Sequence, residues 1–129
     1  MNRKLSSRIA SVLLALHGLI EITGFVFIKS APDTLISFGG LTGPLLEQNA
    51  QVVGMFGALW GISRLIAGWG IWSLRKWALT FGIILSVITV VAAITIIPAG
   101  VADTILAMPA LIFLIYAWFG NEVVEVNGG

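Results

Sequence analysis

The stretch IASVLLALHGLIEITGFVFI, residues 9–28, decides the fold. At a rise of about 1.5 Å per residue it makes a helix of about 30 Å, the thickness of a bilayer's hydrocarbon core. Apart from His17 and Glu21 its residues are mostly apolar, and they lack the period-two alternation of a barrel strand. Three more segments share this character: residues 51–74, 77–97 and 104–120. The sequence therefore predicts an all-α, membrane-spanning four-helix bundle of up-down topology, one domain over residues 1–129.

Composition points the same way. The chain is 58% hydrophobic and 10% charged, where a soluble domain carries about 25% charged residues. Water cannot solvate so apolar a surface on a chain this small, so the lipid bilayer is its expected partner. Cysteine is absent, which excludes disulfides, thiolate catalysis and thiolate metal sites. A single histidine excludes a multi-histidine metal site or a two-histidine haem within one chain. No catalytic residue, metal or cofactor is assigned. Met1 to Arg8 resembles the basic start of a signal peptide, but the run behind it is long, is interrupted by His17 and Glu21, and lacks an A-x-A-like site. A retained first helix is expected.

Charge placement orients the bundle. Arg3, Lys4 and Arg8 precede the first span, and Arg75 and Lys76 form the turn after the second. An even number of crossings separates the two groups, and only Lys29 lies near the other side, so both termini are expected in the cytoplasm of a cell with a multi-pass protein in its membrane. Trp69, Trp72, Trp77 and Trp118 fall near the same ends and read as interfacial anchors. The connection 29–50 holds Ala31-Pro32-Asp33-Thr34, a helix start, then Leu35, Ile36 and Phe38 before Gly39-Gly40. It predicts a short surface helix or a loop capping the bundle. Asp103 reads as an N-cap of the fourth span, and Glu122 and Glu125 as solvated tail residues.

Small residues mark the packing faces. Gly54, Gly57, Gly61 and Gly68 follow steps of three, four and seven in the second span, with Gly57 and Gly61 forming a GxxxG pair. Gly82, Ser86, Thr89 and Ala93 do the same in the third, and Asp103, Ala107, Ala110 and Ala117 in the fourth. Such faces let helix backbones approach closely in lipid. Pro109 is placed to kink the fourth helix.

Three ionisable residues fall inside spans: His17, Glu21 and Arg64. Such groups are costly in a membrane and face the bundle interior. His17 and Glu21 are four apart and share a face. By helical rise His17 is about 13 Å and Glu21 about 20 Å above Arg8, and Arg64 is about 16 Å above Arg75. These heights predict a Glu21–Arg64 ion pair with His17 as its hydrogen-bonded neighbour. The cluster would set helix register, or relay protons, hold a cationic headgroup, or do acid–base work on a lipophilic substrate.

The chain lacks a phosphate loop, a nucleophile elbow, HExxH and an EF-hand loop. No basic stripe marks a nucleic-acid surface. The segments His17-Gly18-Leu19-Ile20-Glu21, Arg64-Leu65-Ile66-Ala67-Gly68-Trp69-Gly70-Ile71-Trp72, Leu74-Arg75-Lys76-Trp77-Ala78 and the turn from Pro98 to Asp103 give the chain a general form. It resembles the small four-helix integral membrane proteins of bacteria and archaea, a group mostly without assigned activities. That likeness covers most of the chain and implies architecture. A small multidrug exporter would also place a carboxylate in its first helix, as Glu21 is placed, but the 29–50 connection and Arg64 depart from that pattern. The first functional expectation is a non-enzymatic accessory or assembly subunit, or a self-associating bundle. A proton-coupled transporter using Glu21, His17 and Arg64 comes second, and a membrane-embedded binder or enzyme for a lipophilic substrate third.

Overall fold

The computed structural model describes residues 2–30, 43–97 and 99–120. The surface helix or cap predicted around Ala31 to Gly40, and the tail residues Glu122 and Glu125, lie outside them. The described elements are α1 (Arg3–Ser30), α2 (Gly43–Gln48), α3 (Ala50–Trp72), α4 (Lys76–Ala93) and α5 (Ala99–Phe119). All are helical, and four of them are long and apolar enough to cross a membrane.

Helix ends differ from those read by hydropathy. α1 begins at Arg3 rather than Ile9, and α5 at Ala99 rather than Thr104. Hydropathy marks the part of a helix that suits lipid, whereas a helix continues wherever its backbone bonds are satisfied. Arg3 shows how an early start is stabilised. Its Nε donates to the carbonyl of Ala117 at 2.7 Å and its Nη2 to that of Trp118 at 3.1 Å. The cation thus satisfies open carbonyls at the C-terminal end of α5, where the helix dipole is negative. α4 stops at Ala93, four residues short of the expected end. The connection 29–50 is not loop throughout, since α1 runs to Ser30 and α2 fills 43–48. Pro109 lies within α5, which continues past it for ten residues.

The α1–α3 pair is built on a seven-residue repeat. Ser11 meets Gly68, Gly18 meets Gly61, and Phe25 meets Gly54. Residue numbers rise by seven in α1 as they fall by seven in α3. The approach is closest at the middle pair. A Cβ on Gly18 would stand 2.6 Å from the Gly61 carbonyl oxygen, and one on Gly61 would stand 2.6 Å from that of Gly18. Only residues without a side chain fit on both sides. One heptad away, Ser11 Oγ donates to the Gly68 carbonyl at 2.6 Å. Gly57 does not belong to this contact, since a Cβ there would meet nothing within 4 Å. At 3.6 residues per turn it sits about 40° round the helix from Gly61. The GxxxG reading is thereby corrected: the close surface of α3 is Gly54, Gly61 and Gly68, and its partner is Gly18.

The other helices close around this pair. At the centre, a Cβ on Gly82 of α4 would touch Leu14 of α1, Ile71 of α3 and Leu114 of α5 at 2.9–3.3 Å. Gly82, Ser86, Thr89 and Ala93 are all buried, as are Ala107, Ala110 and Ala117. The outside is the reverse. Phe27, Phe56, Ile105 and Phe119 are each about two-thirds or more exposed. Small residues inside and large apolar ones outside is the arrangement that lipid, and not water, rewards.

α3 ends in a Schellman motif. The Arg75 amide donates to the Gly70 carbonyl and the Leu74 amide to that of Ile71, both at 2.9 Å. Leu74 takes the left-handed position with φ 57°, where glycine is usual. This tight reversal brings Ala78 and Trp77 against Gly70.

Gly61→Leu should force α1 and α3 apart and destabilise the protein by about 1–3 kcal/mol or more. Gly57→Leu should stay within about 0.5 kcal/mol of the parent. Unfolding of both variants by SDS titration in micelles checks this, and equal losses would contradict the heptad contact.

Candidate functional site

Four helices contribute to one polar cluster, assembled around Arg64. Its side chain is 1% exposed. Nη1 stands 2.7 Å from Glu21 Oε1, whose side chain is 17% exposed. That contact meets the distance of a hydrogen bond and not its angle, so it is ionic rather than directional. Nη2 donates to Thr89 Oγ1 of α4. The Thr89 hydroxyl in turn donates to the Leu85 carbonyl at 2.8 Å and accepts from Trp60 Nε1 at 3.4 Å. One donor and two acceptor positions are all a hydroxyl has, so Thr89 is saturated.

His17 is not a member of that ion pair. Its Nε2 lies 3.2 Å from Asp103 Oδ1 of α5. His17 is buried, while the Asp103 side chain is 45% exposed. This corrects two readings. Asp103 does not cap a helix, because α5 begins four residues earlier and carries it a full turn inside. His17 is engaged by that carboxylate rather than by Glu21 or Arg64. Both pairs are anchored on α1, where His17 and Glu21 lie one turn apart, so they are adjacent parts of one polar cluster.

The cluster is not fully satisfied. Glu21 Oε2, Arg64 Nε and Arg64 Nη1 are buried with no hydrogen-bond partner among the described residues, as is Ser86 Oγ elsewhere on α4. Each such group costs of the order of 1–3 kcal/mol in a protein interior. Sequence reasoning missed Thr89, Trp60 and Asp103 as members. Thr89 had been read only as a small packing residue. Trp60 lies near the middle of its span while the other four tryptophans lie near span ends, which is the signal that could have found it.

The remaining sequence-derived residues lie elsewhere. Trp69, Trp72, Trp77 and Trp118 are exposed and gather with the cations at one end of the bundle. The Arg8 guanidinium lies 5.3 Å from the Trp72 ring centre, and that of Arg75 5.5 Å from Trp69, both within cation–π range. An apolar groove of about 610 Å³ lies between α4 and α5, lined by Val90, Ala93, Ile97, Gly100, Val101 and Met108 among others. His17, Glu21 and Arg64 do not line it. Among the described residues no group of three or more acidic, histidine or cysteine side chains is placed to hold a metal ion.

The fold and site thus define an all-helical chain with four potential membrane spans and a charged cluster at their centre. No protein-family model, no curated protein and no solved structure matches it.

Glu21→Gln should leave Arg64 buried without a counter-charge and destabilise the protein by about 3–5 kcal/mol. The exchange Glu21→Arg with Arg64→Glu should recover part of that loss, with the rest retained because Thr89 loses its donor. Melting temperatures of the single and double variants in one detergent provide the comparison, and no recovery in the exchange would remove the pairing.

Proposed function

We propose that the chain is a multi-pass protein of a cell membrane, an up-down bundle with both termini cytoplasmic, and that it works as a non-enzymatic accessory or assembly subunit. The observation that carries this reading is the groove between α4 and α5. It is apolar, faces outward, and is lined by the exposed side chains of Ile94, Ile97, Val101, Ile105 and Met108. A further helix laid along such a groove gains dispersion contacts, and in lipid those contacts are what drives association. The charged cluster supports the same reading, because it ties the four helices to each other rather than lining that groove.

The heptad contacts of α1 with α3, and the meeting of Arg3 with Trp118 and of Trp77 with Gly70, support the topology. With no native cysteine, single introduced ones report it cleanly. Gln48→Cys should react with an impermeant maleimide on intact cells, and Asn2→Cys only after permeabilisation. The opposite pattern would invert the orientation.

Gentle extraction from the native membrane followed by native mass spectrometry tests the function. A defined protein should co-purify with the wild type and be released by Val101→Trp at the exposed lip of the groove. A monomer, with every membrane complex intact in the deletion strain, would end this reading.

A second reading is favoured by one observation. Glu21, Asp103 and Arg64 leave one surplus negative charge when His17 is neutral, and a proton on His17 cancels it. Asp103 is the exposed member and His17 the buried one it touches, the order that a proton relay requires. Substrate-driven proton uptake in reconstituted vesicles, abolished by Asp103→Asn, would support coupled transport in place of the subunit role.

A further inference from the structure

We infer that the groove at the basic end of α1 and α3 is a binding site for one anionic phospholipid. The groove holds about 320 Å³ and is lined by Arg8, Ile9, Val12, Leu13 and Trp72. Four of its five walls are apolar side chains and the fifth is a cation. That combination fits an acyl chain joined to a phosphate, and suits neither a free ion nor an uncharged hydrocarbon alone.

The order of the residues matches the shape of a lipid. Arg8 stands at the outer end of the groove, and Val12 and Leu13 one turn further along α1. Beyond them Leu16 and Ile20 continue the exposed stripe at steps of four. From Arg8 to Ile20 is about 18 Å by helical rise, against about 15 Å for one leaflet of the hydrocarbon core. A phosphate at the height of Arg8 therefore places its chain along this stripe for the depth of a leaflet.

Arg8 is prepared for the phosphate. Its guanidinium carbon lies 5.3 Å from the Trp72 ring centre, within cation–π range, and a guanidinium so held can meet phosphate oxygens in bidentate fashion. No carboxylate pairs with it among the described residues. Arg75 stacks on Trp69 in the same way but does not line this groove, so it serves as an internal control for charge alone.

The site is independent of the subunit role, since it lies on α1 and α3 and not in the α4–α5 groove. The test offers the full-length protein in detergent an equimolar mixture of phosphatidylglycerol and phosphatidylcholine and counts bound lipids by native mass spectrometry. The wild type should retain the anionic lipid about fivefold over the zwitterionic one, the ratio that a single well-placed cation supplies. Arg8→Gln should bring that ratio to about one. Val12→Trp, which fills the groove and keeps the charge, should lower retention of both lipids. Arg75→Gln should leave the preference as it is. Equal loss in Arg8→Gln and Arg75→Gln would mean diffuse charge attraction and overturn the site. So would full retention in Val12→Trp, or displacement of the lipid by inorganic phosphate. Should Arg8→Gln fail to fold, Val12→Trp and Arg75→Gln still decide.

Discussion

A guanidinium enclosed to 99% is tolerable only where other groups replace its water, and the helices around Arg64 are arranged to do so. Glu21 supplies the counter-charge and Thr89 an acceptor. Glu21 reaches it because α1 and α3 stand closer than an ordinary separation. Gly18 and Gly61 remove the obstacle, and a Cβ on Gly18 would itself lie 3.2 Å from that of Arg64. The glycine contact and the buried charge therefore depend on each other. Close backbones bring the carboxylate within reach, and the ion pair holds the backbones close.

The basic end and the central cluster complete the same scheme in different ways. At the basic end, cations are used one by one: Arg3 on helix carbonyls, Arg8 and Arg75 on indole rings. In the central cluster, charges are used in a group that draws on every long helix. Between them runs a core of small and aliphatic side chains with Gly82 at its crossing point. The inside is thus occupied with holding itself together, which leaves the outer grooves as the surfaces open to other molecules.

Much of this architecture was readable from residue order, because lipid selects for long apolar runs that no soluble fold needs. Helical rise alone puts Glu21 and Arg64 at similar heights, and in the structure they stand 2.7 Å apart. What could not be read depended on where helices end and how they are rotated. The position of Asp103 changes meaning when α5 starts at Ala99, and a helix start in an apolar, glycine-containing turn leaves little trace in composition. Gly57 and Gly61 look equivalent in a motif, yet rotation about one axis separates them by enough to put only Gly61 against its neighbour. Thr89 carried no distinguishing signal, since a threonine suits both a packing face and an acceptor for arginine.

The unequal lengths of the helices have a mechanical consequence. α1 has 28 residues and α4 has 18, about 42 Å against about 27 Å. The surplus of α1 is its basic start, Arg3 to Arg8, so its apolar part of about 30 Å matches a bilayer core, whereas α4 falls short of it. In a bilayer the leaflets would be drawn inward around α4, while the basic start of α1 would reach into the headgroups. In a bilayer, such one-sided mismatch would make the protein wedge-like to its surroundings and give it a preference among membranes by thickness.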